Sequence, residues 1–282
     1  MPGTLYLVAT PIGNLEDITL RALRVLREAD LVACEDTRQT RKLLDHYGIQ
    51  KPTVSYHEHN ETLRAPELIE KLEAGASVAL VSDAGTPLVS DPGYRLVTQA
   101  VAKGIRVEPL PGPSAALAAL AASGLPTDEF HFGGFLPPRS AQRRKTLQRL
   151  KDEPATLVFY EAPHRLLETL ADIEEVLGAR QVVVAREITK LHEEFLRGTA
   201  AELRHAHITL KGECTLLVAK ADRHEEHDET PIPEAVEALE RAGMSRMDAM
   251  KAVARERGLS KRDVYREVEE ASSTEPTNGN AL

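Results

Sequence analysis

The chain has 282 residues, of which 42% are hydrophobic; this rules out disorder throughout and provides for one large globular domain or a few smaller ones. A formal charge of −9 excludes general electrostatic affinity for nucleic acid, so any phosphate contact must rest on local strips of Lys and Arg. No apolar run approaches the length that crosses a bilayer, and residues 1–5 carry no basic segment ahead of an apolar core, which makes the cytoplasm the expected location.

Residues 4–10, TLYLVAT, read as a buried strand stopped by Pro11 and Gly13. Further strands are predicted at 78–81, 107–110, 157–160, 182–185 and 214–218, and apolar residues at three- and four-residue spacing predict helices at 19–29, 65–74, 94–103 and 164–177. This alternation predicts an α/β protein. At 131–140, HFGGFLPPRS carries a Gly pair and a Pro pair, which predicts a crossing between two lobes rather than a strand. The predicted lobes are residues 1–115 and 116–222, followed by an acidic linker at 223–232.

Beyond the linker, residues 233–271 divide into three amphipathic helices, 233–243, 245–258 and 260–271, with Ser245 and Ser260 as N-caps and Gly243 and Gly258 as stops. The short helices predict a helix-turn-helix-like unit, basic along Arg246, Lys251, Arg255, Arg257, Lys261, Arg262 and Arg266, whose second helix suits a nucleic-acid groove. Residues 272–282 carry no periodicity and are expected to be disordered. Cys34 and Cys214 stand far apart and read as buried strand-end residues, not as a disulfide or zinc pair. The pairs His57 and His59, His205 and His207, and His224 and His227 lack a third ligand at useful spacing, so no metal is expected.

Four apolar runs empty into turns rich in Gly, Pro, Asp and Ser: ATPIGN (9–14), SDAGTPLVSDPG (82–93), PLPGPSAAL (109–117) and YEAPHR (160–165). Ligands of α/β sheets sit beyond the carboxyl ends of the strands, so these loops predict a pocket wall, with Gly13, Gly85, Gly93 and Gly112 allowing close backbone approach. The first loop holds no G-x-G-x-x-G, which removes support for a dinucleotide site.

These segments, with ACEDTRQTRKLL (33–44), give the chain a specific resemblance to the ribosomal RNA small subunit methyltransferase I family, a branch of the tetrapyrrole methylase (class III) fold, over residues 1–222 and again in the C-terminal helices. The resemblance implies two α/β lobes with S-adenosylmethionine bound in the cleft between them, a homodimer, and methyl transfer to the ribose 2′-oxygen of a cytidine in the decoding region of 16S rRNA. It places donor contacts on Pro11, Ile12, Gly13, Asp83, Ala84, Gly85, Thr86, Pro87, Ser114, Ala115, Tyr160, Glu161 and Ala162. TPIGN stands where tetrapyrrole enzymes carry a Gly-rich loop, which speaks against a porphyrin-like substrate.

A ribose hydroxyl needs alignment and removal of its proton. The candidate acceptors are Glu35, Asp36, Asp91, Glu161 and His164, with Glu35, Asp36 and Glu161 placed first because each follows an apolar run. A helix cap or loop ion pair would account equally for Asp36 and Glu161. For RNA, Arg139, Arg143, Arg144, Lys145, Arg149 and Lys151 form a strip free of acidic residues, which Arg38, Arg41 and Lys42 would extend. Two other readings stay open: a class III methyltransferase of a small molecule such as a tetrapyrrole, and a DNA-binding regulator that senses a nucleoside.

Overall fold

A computed structural model describes residues 2–206, 211–221, 230–257 and 259–273. Residues 1–221 form one compact unit and residues 222–282 a second.

The first lobe alternates strand and helix: β1 (Thr4–Val8), α1 (Leu20–Glu28), β2 (Leu31–Cys34), α2 (Thr37–His46), β3 (Thr53–Ser55), α3 (Glu61–Glu73), β4 (Val78–Val81), α4 (Tyr94–Ala102) and β5 (Arg106–Leu110). Its sheet is wholly parallel in the order β3-β2-β4-β1-β5. A parallel sheet needs both faces covered. Leu26, Leu43 and Leu44 of α1 and α2 close one face over Val8 and Val32, while Leu68, Leu72 and Leu96 of α3 and α4 close the other over Leu5 and Leu80. Val8 is in register with both Val81 and Leu110, and Cys34 with Val81, so the loops after β1, β2, β4 and β5 leave the sheet side by side.

The chain then changes sheets. In order come α5 (Ala115–Ser123), β6 (Phe130–Phe135), α6 (Ser140–Arg149), β7 (Thr156–Glu161), α7 (Leu166–Leu177), β8 (Gln181–Arg186), β9 (Glu194–Thr199), α8 (Ala200–His205) and β10 (Cys214–Val218). The second sheet runs β6-β7-β10-β8-β9, with β10 antiparallel to both its neighbours. Helices α6, α7 and α8 cover one face through Leu147, Leu170 and Leu203. The other face carries Ala116, Ala119 and Leu120 of α5 together with Ile12 from the first lobe, which ties the two lobes through a shared apolar cluster.

The expected crossing at 131–140 is corrected by β6, which pairs Phe130 to Thr156 and Phe135 to Tyr160 around a bulge. The glycine pair bends the strand instead of ending it: Gly134 takes φ +61°, and a Cβ on Gly133 would stand 2.4 Å from the Phe159 ring.

In the second unit, α9 (Ile232–Arg241), α10 (Arg246–Glu256) and α11 (Lys261–Ser273) enclose Val236, Val253, Val264 and Val268. The Ser245 and Ser260 hydroxyls accept the N–H groups of Asp248 and Asp263, each as an N-cap, and Gly243 ends its helix at φ +97°. Gly258, His207, His224, His227, residue 222 at the end of the expected second lobe, residues 223–229 of the expected linker and residues 274–282 of the expected tail lie outside the described residues. Among the described residues, no helix is long and apolar enough to cross a membrane, and no group of His, Cys, Asp and Glu is disposed to hold a metal ion.

Candidate active site

The aligned ends of the parallel strands face the edge of the second sheet where β7 ends, β10 begins and β8 ends, because Cys214 pairs with both Glu161 and Arg186. A cavity of about 430 Å³ opens at this seam, within the usual range of small-ligand sites. Backbone bonds lace its first-lobe wall: Thr10 and Gly85 exchange N–H···O bonds of 2.9 and 3.0 Å, and the Thr86 hydroxyl donates to the Pro113 carbonyl at 3.2 Å.

Of the residues expected at the donor site, Ile12, Asp83, Ala84, Gly85, Thr86, Ser114, Ala115, Tyr160, Glu161 and Ala162 line the cavity. Pro11, Gly13 and Pro87 do not. Gly13 approaches protein instead of the cavity: a Cβ there would stand 2.5 Å from the Lys190 side chain, and the adjacent Asn14 N–H donates to Thr189 at 3.1 Å. Gly112 and Gly93 likewise lie against Ala9 and Leu88. Only Gly85 of the four glycines expected to open the pocket lines it, at φ +84°. Val89, Ser90, Asp91, Phe135, Ile188 and Glu213 complete much of the remaining wall. Applying the strand-end rule to the predicted strand at 182–185 would have pointed toward Ile188, whereas Glu213 precedes the strand at 214–218 and reaches the cavity because β10 runs antiparallel to β7 and β8.

The charged side chains of this wall are all acidic: Asp83, Asp91, Glu161 and Glu213, with no Lys or Arg. Burial pushes Asp83 above the usual carboxylate range, against the pull of the Asp36 N–H that it accepts at 3.1 Å. Burial, with the charges of Glu35 and Asp83, pushes Asp91 up to about 6. Burial also raises the Cys214 thiol to about 11, which keeps it protonated and unreactive at neutral pH. Leu88 and Ser90 hold φ values of 71° and 68°, left-handed conformations that cost non-glycine residues about 1–3 kcal/mol each and cluster at functional sites.

The three foremost proton-acceptor candidates occupy different situations. Asp36 caps α2 by accepting the Arg38 N–H at 2.8 Å and grips the Arg38 guanidinium at 2.7 Å; that side-chain bond leads the causes that lower it to about 2, so it is a weak base. The Glu161 side chain is fully buried and accepts from Ala162 N–H at 2.8 Å and the Thr169 hydroxyl at 2.6 Å, with Arg165 at 3.4 Å. Those bonds fix the turn from β7 into α7. Glu35 is exposed and lies outside the cavity wall, and His164 is exposed in the turn before α7.

The basic strip on α6 needs one correction. Arg143 is 1% exposed, bonded to Asp172 at 2.6 Å and to the Pro138 carbonyl at 3.3 Å, so it cannot meet a phosphate. Its place on the inner face, beside Leu147, follows from helical spacing. Arg144 also reaches Asp172, at 3.1 Å, and Glu175. Arg139, Lys145, Arg149 and Lys151 are exposed. Arg38 and Arg41 are exposed on α2, with Arg38 engaged by Asp36. Asp172→Asn is expected to lower stability by about 1.5–3 kcal/mol, since it weakens a buried charge-assisted bond; thermal unfolding measures this, and an unchanged midpoint would remove Asp172 as the anchor of Arg143.

Residues 4–204 match the family model of Tetrapyrrole (Corrin/Porphyrin) Methylases. The chain is 52% identical over 271 residues to the ribosomal RNA small subunit methyltransferase I of Halalkalibacterium halodurans, covering 93% of each. It is 55% identical over 223 residues to the Pseudomonas aeruginosa protein of that name, covering 77% of this chain and 79% of the relative. Among solved structures, a diphthine synthase superposes with a TM-score of 0.62 at 18% identity, covering 77% of this chain and 90% of that one. A uroporphyrin III C-methyl transferase from Thermus thermophilus gives 0.55 at 21% identity over 77% and 97%. At those identities the superpositions speak for the fold alone. On the strength of the family model and of relatives that match along most of its length, this chain belongs to the ribosomal RNA small subunit methyltransferase I family of tetrapyrrole methylases.

Proposed function

We propose that the chain transfers a methyl group from S-adenosylmethionine to the ribose 2′-oxygen of a cytidine in the decoding region of 16S rRNA. The observation that carries this reading is the charge of the cavity: carboxylates and apolar side chains form its wall, with no Lys or Arg. Glu161 and Glu213 are paired with Arg165 and Lys190, which leaves Asp83 and Asp91 to attract a sulfonium and an ammonium group and to oppose the carboxylates of a porphyrin-type substrate. Ile12, Ala84, Ala115 and Ile188 would hold an adenine, and Asp83 with the Gly85–Thr86 backbone would hold the polar groups of the donor. When bound, the donor supplies a methyl group already activated by its sulfonium. The relatives' names supply the RNA.

RNA contact falls on the exposed cations of α6, with Arg38 and Arg41 extending the surface. A net charge of −9 opposes indiscriminate RNA affinity and favours docking on an assembled small subunit in the cytoplasm. The helical C-terminal unit would add a second grip. The resemblance also implies a homodimer, which sedimentation would resolve.

The test is transfer of labelled methyl to small subunits that lack their native methylation, followed by mapping of the modified nucleotide. Label on one cytidine ribose is the expected result; donor binding without label on RNA would return a small molecule to first place. Lys145→Glu and Arg149→Glu are each expected to weaken subunit binding and to flatten its salt dependence, the slope falling by about 0.7 for each phosphate no longer neutralised. An unchanged slope would place the RNA elsewhere.

A further inference from the structure

The loop between β4 and α4 reverses twice before α4 begins, at Leu88 and at Ser90, and residues 89–91 between and after those reversals line the cavity. Both reversals are held by protein around them. The Leu88 side chain stands 2.9 Å from the position a Cβ on Gly93 would take, so only glycine fits beside it. Ser90 meets the β6 bulge, its hydroxyl 3.4 Å from where Gly134 would carry a Cβ. The loop of one lobe and the bulge of the other therefore bracket the backbone that carries Asp91 into the cavity wall.

Asp91 lines the cavity from the first-lobe side, near the charges of Glu35 and Asp83, while the Ser82 hydroxyl donates to the Gly85 carbonyl at 3.0 Å. Tyr160, from β7 of the other lobe, feels the Asp91 charge across the cavity. Unlike Asp36 and Glu161, this carboxylate is not spent on capping a helix or holding an arginine.

We propose that Asp91 is the catalytic residue that accepts the proton of the ribose 2′-hydroxyl. This rests on the methyl-transfer reading above. The 2′-oxygen's electron pair forms the new O–CH3 bond while the pair of the S–CH3 bond returns to sulfur, leaving a thioether, and the hydroxyl proton passes to the Asp91 carboxylate.

The sign of the pH dependence follows from the direction of the shift. Burial and the nearby Glu35 and Asp83 charges raise Asp91 to about 6; below that value the carboxyl already holds a proton and cannot accept another, so turnover rises with pH through about 6 and levels above it. Glu35 is exposed outside the cavity wall, and its charge adds to the rise of Asp91. Glu35→Gln removes that charge and moves the acidic limb to lower pH.

The experiment uses the full chain with methylation-deficient small subunits. Asp91→Asn is expected to lower kcat by about 10²–10⁴-fold, while an unmoved midpoint of thermal unfolding reports an intact fold. Carbon-13 NMR of aspartate carboxyls, assigned by the signal that disappears in Asp91→Asn, is expected to show a group titrating near 6 that moves lower in Glu35→Gln. Full kcat in Asp91→Asn, a matching fall in its unfolding midpoint, or the absence of an aspartate carboxyl titrating near 6 would each overturn the assignment. If the unaltered enzyme labels no ribose, the methyl-transfer reading fails; if it labels ribose and Asp91→Asn does too, only the role of Asp91 fails.

Discussion

Gly85→Val is expected to weaken S-adenosylmethionine binding by about 10–100-fold, because it imposes a strain of about 1–3 kcal/mol on the loop that would hold the donor. Gly85 sits at φ +84°, where a β-branched residue meets its own backbone. A Cβ there would lie in contact with Ile12 Cγ2 at 3.4 Å, so the branch methyls would extend into the cavity or against the first loop. The same residue exchanges two backbone bonds with Thr10 and accepts the Ser82 hydroxyl at 3.0 Å, so a shift here disturbs the loop after β1 as well. Gly85→Ala carries the backbone strain without the branch and should fall between the two. Calorimetry with the donor measures the loss, and thermal unfolding separates it from collapse, since 1 kcal/mol moves a chain of this size by about 2–4 °C. Donor affinity retained in Gly85→Val would show that the cavity is not the donor site.

The parallel half of this site was legible in the sequence and the antiparallel half was not. β4 and β10 occupy the apolar runs predicted at 78–81 and 214–218: Ser77 and Ser82 bound the first, and Glu213 precedes the second. The loops after β1, β4 and β5 could be placed on one edge because parallel strands share a direction. Ile188 and Glu213 reach the same cavity only through the pairing of β10 with β7 and β8, which joins segments distant in the chain. β9, EFLRGT, is a half-exposed edge strand with a charge and a glycine, and α5, AALAALAAS, is apolar on all sides; neither presents a clean period. Arg143 shows the limit for single residues. It looks like its basic neighbours, and only Asp172, on α7, marks it as a core residue.

Glu161→Ala is expected to destabilise the fold by about 3–5 kcal/mol, the cost of leaving one partner of a buried ion pair alone. Arg165, 17% exposed, would keep its bonds to the Leu136 and Pro137 carbonyls but lose its carboxylate, and the Thr169 hydroxyl would lose its 2.6 Å acceptor. The midpoint of thermal unfolding should fall by on the order of 10 °C. Glu161→Gln preserves the shape, but its single amide oxygen can take only one of the two bonds that the carboxylate accepts on separate oxygens, from the Ala162 N–H or from the Thr169 hydroxyl, so it should cost less than the alanine while still lowering the midpoint. Both variants should lose turnover in step with stability, because Glu161 shapes the 160–165 turn that walls the cavity and does not handle the proton. The opposite pattern has a clear signature: a midpoint unmoved in Glu161→Gln with turnover gone would make Glu161 the proton acceptor and return Asp91 to a role in shaping the wall.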